Sequence, residues 1–238
     1  MYSYHTRIPY SSVARNGKIS YGAVLDLFQN CSTYQSDDMG VGLEYLLERG
    51  KGWIVAYNEI IFNDLSYRKG ELTVGTWPYE MKAVFGKRNF ILKDEEGSPL
   101  AVSDSLWVFM DTVKGRMERV PEEIAKSYAT SHGDRYEMKT HDRKIKPPAD
   151  MEYIKDFPVR LSDVDTNGHT NNAVYVSLAE DLLDEKKEYE RLRIEYRRPV
   201  MYPGIMKAYL GNAKNNLFIE LRNEQDENCV VMEWYPKA

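Results

Sequence analysis

The feature that most restricts what this chain can fold into is an order of elements that occurs twice, about 150 residues apart. In the first copy, Tyr4 to Tyr10 reads as a strand ending in a Pro-marked turn, and Asn16-Gly17 is a turn signal. Ser20 is placed to cap a helix running from Tyr21 to about Tyr34. Val24, Leu27, Phe28 and Cys31 fall at i, i+3, i+4 and i+7 of that helix, the spacing of one buried stripe. A polar stretch from Gln35 to Gly42 and a short helix from Leu43 to Arg49 follow. Four strands rich in β-branched and aromatic residues come next: Trp53 to Phe62, Glu71 to Pro78, Arg88 to Lys93 and Pro99 to Met110. Asp94-Glu95-Glu96-Gly97 has the composition of a hairpin turn.

The second copy repeats the plan. Phe157 to Leu161 reads as a strand, Asp163 to Asn172 as a polar loop, and Ala173 to Leu183 as a helix with Val174, Leu178 and Leu182 on one stripe. The strands are Arg191 to Arg197, Met206 to Leu210, Leu217 to Arg222 and Cys229 to Trp234, with Asn215 and Asp226-Glu227-Asn228 at the turns. A helix with one apolar stripe followed by antiparallel strands is satisfied when the curved sheet wraps the helix. The expected class is therefore α+β, two tandem hotdog domains, each a long helix wrapped by a curved antiparallel sheet. The expected boundaries are 1–125 for the first domain, 126–150 for a linker and 151–238 for the second. Between them, Glu122 to Asp150 is polar, ends near Pro147-Pro148, and reads as a partly helical connector outside the core. Its Arg135, Lys139, Arg143, Lys144 and Lys146 read as a solvated cluster.

Composition bears on function by exclusion. Net charge is −5, from 32 basic and 37 acidic residues, against the basic excess of a general nucleic-acid binder. No apolar run approaches the ~20 residues that cross a bilayer. Met1 to Tyr10 carries no apolar signal core, so neither export nor a membrane span is expected. Cys31 and Cys229 form no CxxC unit and read as free, inert thiols in a reducing cytoplasm. His5, His132 and His141 are scattered without ligand spacing, and neither a metal nor a cofactor is expected.

The chemistry concentrates in Arg160 to Tyr175, RLSDVDTNGHTNNAVY, between a strand and a helix. A carboxylate at Asp165 can activate water or attack a carbonyl, His169 can carry a proton near neutral pH, and Asn167 can orient a substrate or a water. The N-terminus of the following helix offers backbone N–H groups near Asn171 and Asn172 to an oxyanion. Asp163, Asn171 and Asn172 also read as ordinary caps. Together these groups are the parts for acyl hydrolysis. The matching loop of the first copy, Val13 to Ser20, lacks the Asp-Asn-His set, so one active site per chain is expected.

The chain resembles the acyl-acyl-carrier-protein thioesterases of plants and bacteria over nearly its whole length. DVDTNGHTNN is similar to that family's D-x-D-x-N-x-H-x-N-N signature. IEYRR at Ile194 to Arg198 resembles its later block, and WVFMDTVKGRMERVPEEI at Trp107 to Ile124 the end of its first domain. GWIVAYNEIIF, TWP and Phe28-Gln29 fit in order. The resemblance implies hydrolysis of the thioester between a fatty acyl chain and the phosphopantetheine arm of acyl carrier protein. It maps the catalytic Asp, Asn and His onto Asp165, Asn167 and His169. It also implies an acyl tunnel in the first domain, where Phe28, Trp53 and Val55 would contact the chain. Plant members carry Glu and Cys directly after the EYRR block; here Pro199 and Val200 stand there, so a Cys nucleophile cannot act from that position. Glu195 is roughly 13 Å along the strand from Pro199 and is no simple replacement. Arg191, Arg193, Arg197 and Arg198 form a basic rim to steer an acidic carrier, or else a solvated face paired with Glu185, Glu188 and Glu190. The rival functions are a hotdog hydrolase of acyl-CoA, a noncatalytic acyl-binding hotdog protein, and a dehydratase, which would release no free acid. The sequence leaves assembly open, a homodimer included. Without a transit peptide in view, a bacterial setting is expected over a plastid.

Overall fold

The computed structural model describes residues 1–129, 142–166 and 168–237. They form two compact units. The first comprises Met1–Asn58 and the described residues from Asn63 to 129; the second comprises Glu59–Phe62 and the described residues from 142 onward.

In the first unit β1 (Tyr2–Thr6) precedes a one-turn 3-10 helix (Tyr10–Ser12), and α1 spans Tyr21–Asp38. After α2 (Leu43–Glu48) come β2 (Lys51–Phe62), β3 (Leu72–Lys82), β4 (Phe85–Lys93), β5 (Pro99–Asp111), the two-residue β6 (Arg116–Met117) and α3 (Glu122–Tyr128). The strand order is β1-β3-β4-β5-β2, with β6 on β5. The Ser20 side chain accepts from Ala23 N at 3.2 Å and starts α1 where expected. Val24, Leu27, Phe28 and Cys31 are buried, and Phe28 stacks on Phe90 of β4 with centroids 5.1 Å apart. Each such large side chain contributes about 1.5–3 kcal/mol by leaving water.

Two expectations are corrected here. Helix α1 runs one turn past Tyr34, because the polar Gln35 is itself fully buried and its Oε1 accepts from Arg88 Nη1 at 2.5 Å. A buried amide is tolerated once it is paired. The connector also contributes to the core. Ile124 and Tyr128 of α3 pack with Val41, Leu46 and Phe109, which gives this short helix an apolar face.

In the second unit β7 (Glu152–Pro158) and a 3-10 turn (Leu161–Asp163) lead to α4 (Asn172–Glu180). Then follow β8 (Tyr189–Tyr196), β9 (Ile205–Ala213), β10 (Asn216–Arg222) and β11 (Asn228–Pro236). The order β8-β11-β10-β9-β7 is antiparallel wherever register is defined. Lys214 and Asn215 at positive φ close the β9–β10 hairpin, and Asp226 turns β10 into β11. Helix α4 has nine residues, shorter than expected. It buries Ala173, Tyr175, Val176 and Ala179, not Val174, Leu178 and Leu182, which stay half-buried.

The stretch after the undescribed segment is strapped to β8. Arg193 Nη2 donates to Asp142 O (2.5 Å), Glu195 Oε2 accepts from Ile145 N (2.9 Å), and Arg197 Nη2 donates to Ile145 O (3.0 Å). Alternate residues of a strand share one face, so these three side chains hold the strap in register. Ile145 is buried beneath it.

Candidate functional site

The loop between β7 and α4 is a tight hairpin closed on itself. Asp165 N donates to His169 O (2.8 Å), Gly168 N to Asp165 O (3.0 Å), and Asn171 N to Asp163 O (2.8 Å). Val164 and Thr170 face each other across a bridge. Gly168 sits at φ +76°, a left-handed conformation that only glycine adopts without strain. The side chain of Asp165 belongs to the same closure, because its Oδ1 accepts from His169 N at 3.1 Å. Asp165 and His169, both half-buried, are thus held by one ring of contacts. Asn167 lies outside the described residues.

Asp163 anchors the entry to the loop. It is buried and accepts from Arg160 N at 2.8 Å and from the Arg160 guanidinium, with Nη2 to Oδ1 at 2.7 Å. Burial pushes its carboxyl up, but the Arg160 hydrogen bonds and charge outweigh that and hold it below the usual range. The exit is fixed by capping. Asn171 Oδ1 accepts from Ala173 N (3.0 Å), so its side chain is the N-cap of α4, as the cap reading expected. Val174 N is taken by Asn171 O. This leaves the Asn172 N–H as the first-turn donor without an acceptor among the described residues.

A second strand of chain backs the loop. His169 bridges Met201, and Thr170 donates to Val200 O through both N (3.0 Å) and Oγ1 (2.8 Å). Val200 N donates to the Tyr175 hydroxyl at 3.0 Å. Burial pushes that hydroxyl up to about 12, and the Asp165 charge adds to the rise. Thr170, Tyr175 and Val200 are all buried. None of the three was marked as functional by the sequence, since their contacts join residues far apart in the chain. Val200 thus meets the loop through its backbone N–H and carbonyl.

The other expected positions are as follows. Arg193 is buried and donates to Glu233 Oε2 at 2.5 Å; Arg191 pairs with Glu59 and stacks on Tyr235; Arg197 pairs with Glu195 at 2.8 Å. These three are held by neighbours other than the Glu185, Glu188 and Glu190 named from sequence. Arg198 is half-exposed, 3.4 Å from Glu227. In the first unit Phe28 and Val55 are buried, and half-buried Trp53 meets the Phe109 ring edge-on at 5.0 Å. Cys31 and Cys229 are buried free thiols, and burial pushes Cys31 up to about 12. His132, His141, Arg135 and Lys139 lie outside the described residues.

The first unit contains the same loop. Ala14 N donates to Lys18 O (2.8 Å), Gly17 N to Ala14 O (2.9 Å) and Ser20 N to Ser12 O (3.0 Å), and Gly17 has φ +77°. Ile19 N donates to Leu65 O as Thr170 N does to Val200 O. Residue for residue, Ala14 stands where Asp165 does and Lys18 where His169 does. The backbone recurs without the acid and the imidazole.

Comparison with known proteins decides the family. The model of the acyl-ACP thioesterase N-terminal domain matches residues 1–128, and that of the C-terminal domain residues 146–234. The chain belongs to the acyl-ACP thioesterase family. A chloroplastic acyl-[acyl-carrier-protein] hydrolase of Cuphea viscosissima is 24% identical over 203 residues, 78% of this chain and 49% of the relative. A dodecanoyl-[acyl-carrier-protein] hydrolase of Cinnamomum camphora is 24% identical over 240 residues, 90% of this chain and 62% of the relative. The chain thus spans about half to three fifths of the length of these curated relatives. An acyl-ACP thioesterase structure from Bacteroides thetaiotaomicron superposes with TM-score 0.86 at 20% identity, covering 99% of this chain and 97% of that one. The 12:0-ACP thioesterase of Umbellularia californica gives 0.84 at 20% identity, with the same coverage. The fold is two tandem hotdogs.

Proposed function

We propose that this chain hydrolyses the thioester of fatty acyl-acyl carrier protein, releases the free fatty acid and so ends chain elongation. The observation that carries this reading is the closed Asp165–His169 ring at the start of α4. It holds the Asp165 carboxylate and the His169 backbone in one loop that leads into α4, in a chain whose two halves both match the family. Asp165 Oδ1 is engaged by the His169 amide, and a carboxylate held in its own loop suits activation of water better than a swing onto the carbonyl. In this mechanism Asp165 and His169 take the proton of the attacking water, and Asn167 orients it. The Asn172 N–H receives the oxyanion. The leaving thiolate takes a proton from His169. Phe28, Trp53 and Val55 of the first unit would contact the acyl chain. Half-exposed Arg198 is the arginine of the rim best placed to meet an acidic carrier. The buried free cysteines accord with a reducing cytoplasm.

The test is free-acid release from a panel of acyl-carrier and acyl-CoA thioesters by wild type, Asp165→Ala and His169→Ala. Turnover confined to the wild type, and higher on carrier than on CoA substrates, is expected. Faster CoA turnover would make it an acyl-CoA thioesterase, and binding without turnover an acyl-binding protein. Label found in the Asp165 carboxylate after a single turnover in ¹⁸O-water would show attack by Asp165, with water then cleaving the mixed anhydride at the aspartyl carbon.

A further inference from the structure

Among the described residues, the Thr170 and Tyr175 hydroxyl contacts to Val200 have no counterpart in the first unit, although the backbone contact recurs as Ile19 N to Leu65 O. The matching positions there are Ile19, Val24 and Leu65, all apolar and buried. The loop therefore folds without hydroxyls. In the second unit two hydroxyls are buried instead, which costs free energy unless every one is paired. They are paired around a single residue. Tyr175 takes the Val200 N–H, and Thr170 gives two hydrogens to the Val200 carbonyl. Val200 is followed by Met201, the bridge partner of His169.

We propose that Tyr175 and Thr170 are positioning residues: by gripping both backbone groups of Val200 they hold the 200–201 segment against His169 and fix the imidazole for proton transfer. The assignment rests on the hydrolytic reading above. A packed apolar trio suffices to shape the loop, as the first unit shows; the polar version adds direction, because hydrogen bonds set register where apolar contacts permit sliding.

The experiment compares wild type with Thr170→Val, Thr170→Ser and Tyr175→Phe on an acyl-carrier thioester, well below each variant's melting temperature. Thr170→Val keeps shape and loses the hydroxyl; Thr170→Ser keeps the hydroxyl. The expected result is a kcat lower on the order of 10- to 100-fold in Thr170→Val and Tyr175→Phe, with KM unchanged. The kcat–pH limb that reports the proton-carrying group should move in both, and Thr170→Ser should restore rate and profile. A stability loss with wild-type kcat and pH profile in the Val and Phe variants would overturn the assignment and leave the clamp purely structural. So would a Thr170→Ser variant as slow as Thr170→Val. If Tyr175→Phe fails to fold, the Val and Ser pair decides. No hydrolysis by the wild type would overturn the hydrolytic reading itself, and the assignment with it.

Discussion

Replacing Gly168 by Ala separates what the loop needs to fold from what it needs to work, because the first unit supplies its control. Gly168 and Gly17 occupy the same turn at φ +76° and +77°. Neither position is crowded: a Cβ at Gly17 would meet nothing within 4 Å, and at Gly168 only Met201 Cε at an ordinary 3.6 Å. The cost of Ala is therefore conformational at both, about 1–2 kcal/mol for an L-residue held in the left-handed region. For a chain of this size that corresponds to a melting temperature lower by about 2–8 °C. Thermal unfolding should give similar shifts for Gly17→Ala and Gly168→Ala. Turnover should not. A loop that relieves strain by opening moves Asp165 away from His169, and displacement of about 1 Å costs up to ~100-fold in rate. The first-unit loop carries Ala14 and Lys18, so Gly17→Ala should leave kcat unchanged. Asn, which tolerates positive φ, should recover part of the stability at either position. Equal loss of turnover in both alanine variants, or no change in melting for either, would refute this account.

Three further outcomes follow from the contacts. Asp163→Asn removes the carboxylate that pairs with Arg160, and should cost about 1–3 kcal/mol at neutral pH. Because the folded carboxyl lies below its ordinary value, its stabilising effect is complete above about pH 4 and fades as pH falls through the folded value. The acid limb of a wild-type pH–melting curve should accordingly be steeper than that of Asp163→Asn. Glu195→Ala leaves Ile145 N without its acceptor and frees the strap, so trypsin should cut at Arg143 or Lys144 faster than in wild type, measured by mass spectrometry of timed digests. Cys31 and Cys229 should resist a thiol-specific disulfide reagent in the native protein and react together in denaturant, since burial raises both thiols and denies access.

The parts of this molecule that could be read from sequence are those fixed by neighbours along the chain. The Ser20 cap, the Val24–Cys31 stripe and the hairpins at Asn215 and Asp226 all rest on spacings of a few residues. What sequence missed depends on partners supplied from afar. Gln35 looks like a helix-ending polar residue until Arg88 reaches it from β4. Ile124, Tyr128 and Ile145 look like isolated apolar residues in a polar connector until α2, β5 and β8 supply surfaces for them. Arg191, Arg193 and Arg197 look like one free basic face because Glu59 and Glu233 arrive from other strands, and Glu195 faces the strap. In α4 the larger aliphatic side chains suggested the wrong face: Ala173, Tyr175, Val176 and Ala179 are the buried ones.

The two loops show how little of the chemistry resides in the fold. The same hydrogen bonds, the same glycine conformation and the same backing strand occur in both units, and fold alone assigns no function to either. The second differs by an acid for Ala14, an imidazole for Lys18, and hydroxyls for Ile19 and Val24. Each change is unfavourable for stability by itself: it places a carboxylate in a half-buried turn and hydroxyls where apolar groups fit. A loop under selection for folding only would converge on the first version. The second keeps its polar groups because each is given a partner, Asp165 by the His169 amide, Asp163 by Arg160, and Thr170 and Tyr175 by Val200. Those partners keep the carboxylate and the loop backbone in one geometry, and under the proposed hydrolysis a loop held in advance loses less free energy to reorganisation when the substrate's charge develops.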